Sequence, residues 1–394
     1  MRGWHATYAA RRGSRPAAHE AAAEFDGAVA QEDHRAGIGA ALCRRNGTAA
    51  MTESQANQTR LRLRSVPCDY CGSEATEPYL TGRDRVCGLE GEFHVVRCRK
   101  CGLLRTNPQP VPEDLPKAYL SSYDVHAASV TIPDRPTGLL RWALVNYRDY
   151  PLGSKAPGVV RLLMSAWAAL RLRGRKVIDY VPYRGDGRLL DFGCGTGQYV
   201  ARMTAAGWHA EGIDLVPQAV ATGREAGLTI HEGTLPGAPL PTAHYDVITM
   251  WHVLEHVPGP MATLKAARDL LRRDGRLVVV CPMMDSLAAS WFGASWFGMR
   301  ELPRHLTHFS QKTLRRHLEA AGFEVVRALP IRRPTFMRRS LLHRAEDTGK
   351  ARYRWLAMSR MLSRVLSHLA RLLGRTDEVL FEARRPESER PGED

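Results

Sequence analysis

The sequence has no long run of apolar residues. Its longest uncharged apolar stretch, residues 286–299, is shorter than the roughly 18 to 20 residues that a membrane-spanning helix needs. The N-terminal region also lacks an unbroken apolar segment followed by a small-residue cleavage site, so the pattern does not predict a secretory signal. We therefore expect a cytoplasmic chain without a transmembrane segment.

Acidic residues are outnumbered in this chain. Its 394 residues include 41 Asp and Glu but 56 Lys and Arg, which gives a net charge of +15. A surface with this balance attracts nucleic acid, phosphorylated small molecules or an acidic membrane face. Charge alone does not choose among these partners. Cysteine is also infrequent, with eight residues in a long chain, so a small fold held together by disulfides is not expected.

Four of the cysteines form two matched Cys-x-x-Cys-Gly motifs, at Cys68–Gly72 and Cys98–Gly102. Each motif can place two thiolates on one side of a turn, and the following glycine tolerates a left-handed backbone. Two such turns predict a closed, tetrahedral and structural zinc site, with a redox pair or unrelated thiols as the alternative. Cys87 and His94, between the motifs, are interpreted as bystanders. The predicted ligands are Cys68, Cys71, Cys98 and Cys101.

Composition divides the chain into six segments. One of them alternates apolar strands with helical stretches, which is typical of a parallel α/β sheet. The first segment is poor in large apolar residues, which predicts disorder, and we interpret residues 1–50, ahead of Met51, as an upstream extension of the reading frame. The predicted segments are a disordered leader (1–60), a zinc ribbon (66–112), a helical connector or lid (113–183), the α/β domain (184–330), a basic region with an amphipathic helix (331–383) and a disordered tail (384–394).

The connector predicts helices near Leu139–Tyr147 and Val159–Leu172. A last amphipathic helix, over about Arg352–Leu373, has apolar residues at three- and four-residue spacing with arginines on the opposite face. Two interpretations stay open for this helix: it packs on the α/β domain, or it docks on an anionic membrane surface or a partner. The strands of the α/β domain are expected to begin at Leu189, Ala210, Leu228, Tyr245, Leu277, Thr307 and Phe323.

An apolar strand runs directly into a glycine loop and then into a helical stretch, over residues 189–206. Glycines let the backbone approach a ligand, and the helix N-terminus behind the loop presents unpaired amides and the positive end of the helix dipole. The spacing is G-x-G-x-G, and Gln198 stands where a dinucleotide-binding loop has its third glycine, which disfavours a dehydrogenase. The predicted cofactor contacts in the loop are Gly193, Cys194, Gly195 and Gly197.

Two acids accompany the loop. Asp214 ends the second predicted strand about 20 residues past the loop, where a carboxylate can bind both hydroxyls of a ribose. Asp191 precedes the loop and can accept hydrogen bonds from loop amides or hold an ammonium group of the cofactor, with a purely structural role as the alternative.

Three stretches of sequence resemble known methyltransferases. The loop LLDFGCGTG at 189–197 and the segment YDVITMWHVLEHV at 245–257 resemble class I methyltransferases that use S-adenosylmethionine. The segment PRHLTHFS at 303–310 is similar to a bacterial small-molecule subgroup that often carries a CxxCG module ahead of its catalytic domain. The resemblance covers about residues 66–330.

The resemblance implies a Rossmann-like α/β fold with a seven-stranded sheet and S-adenosylmethionine as methyl donor. Its acceptors are expected to be small molecules, sugars or polysaccharide-related intermediates. It also implies that Asp214 binds the ribose, with Leu215 beside it, and that Trp251 flanks the adenine or lines the pocket unless it is a plain core residue. Because the sequence at 232–235 departs from many relatives, main-chain groups of Thr234 and Leu235 are expected to contact the adenine.

Methyl transfer from a sulfonium is an in-line displacement, so the protein mainly aligns donor and acceptor and excludes water. A base is needed when the acceptor must lose a proton, and imidazole titrates in the right range. We expect His305 to be the first candidate, His256 the second and His308 the third, with His252 also in reach; a structural role is the alternative for each. The aromatic run Trp291–Gly298 is interpreted as a lid or acceptor wall, or else as core filling.

Two other functions remain open. A zinc ribbon on a basic methyltransferase also suits RNA, although the C-terminal arginines fall on one helix face rather than among interleaved aromatics. A non-catalytic adaptor that binds zinc and S-adenosylmethionine is disfavoured because the loop and Asp214 are intact. A radical mechanism is not expected, since the CxxxCxxC pattern is absent. Whether oxygen, nitrogen or carbon is methylated stays open.

Overall fold

A computed structural model describes residues 61–119, 129–164 and 179–386. The predicted leader, part of the predicted helix Val159–Leu172 and most of the tail lie outside these ranges. The strands are β1 (Leu63–Arg64), β2 (Thr76–Gly82), β3 (Phe93–Cys98), β4 (Leu104–Thr106), β5 (Gln109–Pro110), β6 (Arg188–Phe192), β7 (His209–Asp214), β8 (Ile230–Glu232), β9 (Tyr245–Trp251), β10 (Leu271–Pro282), β11 (Thr307–His308), β12 (Glu324–Ile331) and β13 (Glu378–Arg384).

Helices connect and cover these strands. A further helical stretch occupies residues 158–164, and short 3₁₀ helices lie at Pro112–Ala118, Gly293–Ser295 and Phe297–Met299. No helix in the described ranges is long and apolar enough to cross a membrane. The α-helices are α1 (Gly138–Arg148), α2 (Gln198–Ala205), α3 (Pro217–Glu225), α4 (Pro260–Leu270), α5 (Leu287–Phe292), α6 (Gln311–Ala320), α7 (Pro334–Thr348), α8 (Ala351–Met358) and α9 (Arg360–Leu372).

A seven-stranded sheet forms the centre of the fold, in the order β12-β13-β10-β9-β6-β7-β8. Five strands, β8 to β10 through β7, β6 and β9, run parallel, whereas β13 is antiparallel to both of its neighbours. The middle strands are rich in buried apolar residues because helices cover both faces of the sheet, and Val278, Val279 and Val280 are almost completely buried. Each such side chain stabilises the fold by about 1.5 to 3 kcal/mol. The predicted Rossmann-like α/β fold is confirmed.

Two strands differ from the prediction. A strand at Thr307 is present, but its predicted place in the parallel sheet is wrong. Instead, β11 pairs with β4 in a four-stranded sheet with β2 and β3 of the predicted zinc ribbon (66–112), which we call the N-terminal module. The prediction also has no strand after Phe323, yet β13 lies between β12 and β10. Its acidic residues are tolerated inside the sheet because cations face them, and Glu382 lies 3.6 Å from Arg276.

The predicted C-terminal helix is two helices. Ser359 has extended backbone between α8 and α9, and its hydroxyl accepts a hydrogen bond from the amide of Leu362, which caps the second helix. The side of α9 that is buried carries small residues, Ser363, Ser367 and Ala370, and α9 packs on α7. The helix therefore contacts the rest of the protein mainly through its small residues and the half-buried Leu366, while Met361, Val365, Leu369 and Leu372 are exposed.

Candidate active site

Glycine shapes the loop between β6 and α2. Gly193, Gly195 and Gly197 have φ angles of 72°, 56° and 90°, in the left-handed region that favours glycine. A Cβ atom at Gly193 would lie 2.4 Å from Cγ2 of Val253, which is closer than two carbon atoms can approach. The amide of Gly193 donates to the carbonyl of Ile213 at 2.8 Å. The loop is thereby held against the end of β7.

Asp214 lies at the end of β7 and faces this loop. One carboxylate oxygen accepts from the amide of Gly195 at 2.8 Å and the other from the amide of Val216 at 2.9 Å. The residue is 7% exposed. The glycine loop and Asp214 therefore lie side by side at the carboxyl ends of two neighbouring parallel strands. Open α/β sheets bind ligands at this edge, as the sequence predicts for these residues.

Asp191 is buried at the end of β6. The hydroxyl of Thr249 donates to its carboxylate at 2.6 Å. Burial raises the pKa of Asp191 to about 7, because a carboxylate without water is costly to ionise. Asp191 therefore has a structural partner already, and a nearby cation would favour its charged form.

The other predicted cofactor contacts lie around the loop and the ends of β8 and β9. Leu215 is 54% exposed, whereas Leu235 is buried. The carbonyl of Leu235 accepts a hydrogen bond from Thr263 at 2.9 Å. The Trp251 ring lies 5.3 Å from that of Tyr199, and burial raises the pKa of the Cys194 thiol. Thr234 is exposed next to Leu235.

His252 is unsuited to act as a base at neutral pH. Its Nδ1 lies 3.5 Å from Glu255 and its Nε2 lies 3.3 Å from Glu378 on β13. Burial opposes the charged form, but the carboxylates of Glu378 and Glu255 outweigh it and raise the pKa of His252 to about 10. His252 is thus an imidazolium at neutral pH, and Arg333 adds a further ion pair to Glu378.

The three candidate bases form one cluster. The rings of His256 and His305 are perpendicular, with centroids 4.5 Å apart, and His308 lies 6.2 Å from His305. Burial lowers the pKa of all three, to about 4 for His305 and about 3 for His308. All three rings are therefore neutral at pH 7. A neutral imidazole has a lone pair that can accept a proton.

The three histidines differ in their hydrogen bonds. Nε2 of His308 lies 3.0 Å from the hydroxyl of Thr106 on β4, and this hydroxyl donates to the carbonyl of His305 at 2.6 Å. His308 thus joins the N-terminal module to the cluster. Nδ1 of His256 lies 3.0 Å from the hydroxyl of Tyr119, which leaves the other ring nitrogen of His256 for another contact.

Glu255 completes the cluster. Its carboxylate is buried and lies 3.5 Å from His252, but neither oxygen has a hydrogen-bond partner among the described residues. One atom each of Glu255, His256 and His305 lie within 4.8 Å of one another. Buried carboxylates are normally hydrogen-bonded, so this group is arranged for a further polar contact or for a charge that forms between the rings.

The sequence did not single out several residues that hold this cluster. Arg304 is fully buried and donates to Asp84 of the N-terminal module at 2.6 Å. It also donates to the carbonyl of Ala118, next to Tyr119, at 3.0 Å. Arg304 belongs to the segment PRHLTHFS that the sequence analysis singled out. Its partners Asp84 and Ala118 are far away in sequence, and only the fold brings them next to it. Arg304 thereby connects the segment that carries His305 to Asp84 and Ala118.

The four predicted zinc ligands meet in one cluster. The sulfur atoms of Cys68 and Cys101 are 3.4 Å apart, those of Cys71 and Cys98 are 3.6 Å apart, and all four lie within 4.8 Å of one another. A tetrahedral zinc with four thiolates has sulfur atoms about 3.8 Å apart, so the spacing fits this ion. Cys87 and His94 lie outside the cluster.

The cysteine module packs against the α/β domain. Asp69, in the first turn, accepts from the amide of Met261 at the start of α4 at 2.9 Å. Its neighbour Tyr70 lies under the guanidinium of Arg316, 4.6 Å from the ring centroid. Cys68 and Cys98 belong to the same hydrophobic cluster as the central sheet. The module is therefore part of one packed unit with the helices beside it.

The aromatic run 291–298 is mostly core. Trp296 is 1% exposed and donates to Asp377 at 2.8 Å. It packs with Phe336 and Met337 of α7 in a second hydrophobic cluster. Trp291 is 47% exposed. Core filling, the alternative interpretation of this run, applies to Trp296.

Comparison with known proteins finds similarity to methyltransferases in the central part of the chain. Residues 165–328 match the family model described as a methyltransferase domain. A curated relative named ubiquinone biosynthesis O-methyltransferase, from Cereibacter sphaeroides, is 35% identical over 134 residues, which cover 32% of this chain and 53% of that protein. A protein of the same name from Aromatoleum aromaticum is 36% identical over 97 residues, which cover 23% of this chain and 42% of that protein.

The chain spans about half the length of the curated relatives it matches. Among solved structures, an S-adenosylmethionine dependent methyltransferase from Mesorhizobium loti is 21% identical, with a TM-score of 0.37, and the match covers 56% of this chain and 98% of that chain. The residues that match the methyltransferase-domain model, 165–328, include strands β6 to β10 of the central sheet.

Proposed function

We propose that this protein transfers a methyl group from S-adenosylmethionine to a small-molecule acceptor by in-line displacement. The observation that carries the proposal is the carboxylate of Asp214 on the amide of Gly195, 2.8 Å away, at the carboxyl edge of a methyltransferase domain. Relatives named O-methyltransferases make an acceptor hydroxyl the first to test. Sugars and polysaccharide-related intermediates remain the other acceptors within the proposal.

The donor supplies the methyl group on a sulfonium, and the chain's own residues bind and orient it. Asp214 would bind the ribose hydroxyls, and Asp191 would hold the ammonium group, whose charge favours an ionised carboxylate. The glycines let the backbone come close to the donor. The residues proposed to hold the donor are Asp191, Gly193, Cys194, Gly195, Gly197, Asp214, Leu215, Thr234, Leu235 and Trp251.

We assign proton removal from the acceptor to the His256 and His305 pair. Both are neutral at pH 7, and the hydroxyl of Tyr119 fixes the orientation of the His256 ring. The Glu255 carboxylate beside both rings would stabilise the imidazolium that forms when the acceptor loses its proton. His308 is proposed to position His305 through Thr106 rather than to take the proton itself.

We further propose that Cys68, Cys71, Cys98 and Cys101 hold one structural Zn²⁺. The sulfur spacing supports this assignment, and a site with four protein ligands has no open position for catalysis. The ion would supply folding energy to a module too small to form a core alone. It would thereby keep β4 beside β11 and the histidine cluster.

Isothermal calorimetry with S-adenosylmethionine tests the donor site. Asp214→Asn keeps the size of the side chain and one oxygen but removes its charge, so affinity is expected to fall about ten- to a hundredfold. Asp269→Asn, on an exposed residue of α4, is the matched control and should bind like the unchanged protein. Equal affinity of Asp214→Asn and the control, with equal melting temperatures, would contradict the proposed site.

A further inference from the structure

The most exposed apolar surface in the C-terminal region is one face of α9. Met361, Val365, Leu369 and Leu372 are 76%, 57%, 41% and 72% exposed. They follow one another at four- and three-residue spacing, so they lie on one face of the helix. We call these four residues the outward stripe. On α8, Trp355 and Met358 are also more than two-thirds exposed, at 72% and 75%.

This orientation is opposite to that of an ordinary surface helix, which buries its large apolar residues. Here Ser367 and Ala370 are each 2% exposed, and the outward stripe is left to the surroundings. Burying small residues while exposing large ones costs stability in water unless another apolar phase covers the stripe.

The charge around the outward stripe indicates what covers it. Between Asp347 and Asp377 the sequence contains seven Lys and Arg residues and no acidic residue. Three of them, Arg360, Arg364 and Arg371, fall on the row of α9 next to the stripe and are exposed. Among the described residues, none of these three forms an ion pair. An apolar face bordered by cations fits the interface of an anionic bilayer.

We propose that α8 and α9 form a docking surface for an anionic lipid bilayer, with the outward stripe inserted among the acyl chains and the arginines at the headgroups. Nucleic acid fits less well because the stripe would gain nothing from phosphates. A second copy of this chain fits less well because it would bring the same unneutralised positive charge to the contact. The proposal concerns lipid binding and does not depend on methyl transfer.

The docking surface is connected to the α/β domain by α7. This helix packs on α9 and α8 on one side and on α5 and the turns at 293–299 on the other. Leu366 of α9 and Tyr353 of α8 pack against the same hydrophobic cluster as Trp296. If the proposed function holds, a corollary that rests on it is that the acceptor is carried in, or released from, the membrane.

Cosedimentation with vesicles tests the proposal. The full chain is expected to bind vesicles of phosphatidylcholine mixed with phosphatidylglycerol and to bind far less to phosphatidylcholine alone, with binding that weakens as salt rises. Each arginine near the surface is worth about a fivefold change in partitioning. Substituting Arg360, Arg364 and Arg371 together by Gln should therefore weaken binding by about a hundredfold.

Two further variants separate the explanations. Val365→Ser with Leu369→Ser removes apolar contacts from exposed positions and should also abolish binding without lowering the melting temperature. Lys265→Gln, Arg273→Gln and Lys312→Gln together remove the same charge from exposed sites elsewhere and should bind like the unchanged chain. The proposal is overturned if the unchanged chain ignores anionic vesicles, if the control loses binding equally, or if the serine variant converts a dimer to a monomer without affecting lipid binding.

Discussion

At the scale of single residues, neighbouring charges give identical side chains different roles. His252 lies between two carboxylates, so the pKa of its imidazolium is about 10. His305 lies near the Glu255 carboxylate, but burial and the neighbouring His256 outweigh this attraction and lower the pKa of His305 to about 4. The same residue type is therefore charged at neutral pH at one position and neutral at another. Sequence spacing could not distinguish these roles, because Glu378 lies far from His252 along the chain.

This difference leads to a prediction about pH. A base must be unprotonated to act, and the pKa values of His256 and His305 lie below the ordinary 6.5. Activity should thus be lost only as pH falls below 6.5, and the midpoint of the acid limb in kcat should lie under that value. A midpoint above pH 7 would contradict the assignment of this pair as the base.

Substitution of His256 or His305 tests whether these residues act as the base. His256→Gln and His305→Gln should each lower kcat by about 10² to 10⁴, because no proton acceptor replaces the imidazole. Affinity for S-adenosylmethionine, measured by calorimetry, should remain close to that of the unchanged protein. His209→Gln, on an exposed residue of β7, is the control and should keep full activity. Loss of donor affinity together with kcat would instead indicate a structural role.

At the scale of secondary-structure elements, the sequence predicted the features that neighbouring residues determine. The glycine loop and Asp214 could be placed from the sequence because positive φ angles and strand ends are set by neighbouring residues. By contrast, β13 was missed because its acidic residues suit a sheet only when arginines of other strands face them. For the predicted helix Arg352–Leu373 the sequence left two interpretations open, since periodicity shows that a helix is amphipathic but not which face meets the protein.

The cysteine module gives a prediction at this scale. Protein purified from its native host should contain one zinc per chain, measured by elemental analysis, because four thiolates at this spacing suit that ion. Removing zinc with a chelator should lower the melting temperature of the whole protein, since Cys68 and Cys98 share a hydrophobic cluster with the central sheet.

A cysteine outside the cluster provides the control for the metal site. Cys101→Ser should lose the zinc, whereas Cys87→Ser should retain it, because only the first removes a thiolate from the four. Full zinc content in Cys101→Ser, or zinc-free native protein with undiminished stability, would show that the four thiols serve another purpose.

At the scale of the whole molecule, regions distant in sequence meet at one short segment. Residues 301–308 bind the N-terminal module through the buried pair of Arg304 and Asp84 and through the pairing of β11 with β4. The same segment presents His305 beside His256, after β9. The N-terminal module thus supports the segment that carries His305, and it packs on the α/β domain rather than standing apart.

The position of the bound donor is central to the proposed function. A crystal structure of the full chain with S-adenosylhomocysteine tests this directly, because it locates the ribose without requiring the acceptor. Both ribose hydroxyls are predicted to lie within hydrogen-bond distance, about 2.5 to 3.0 Å, of the Asp214 carboxylate, with the sulfur directed toward the His256 and His305 pair. A ligand bound elsewhere, or Asp214 turned away from the ribose, would contradict the account.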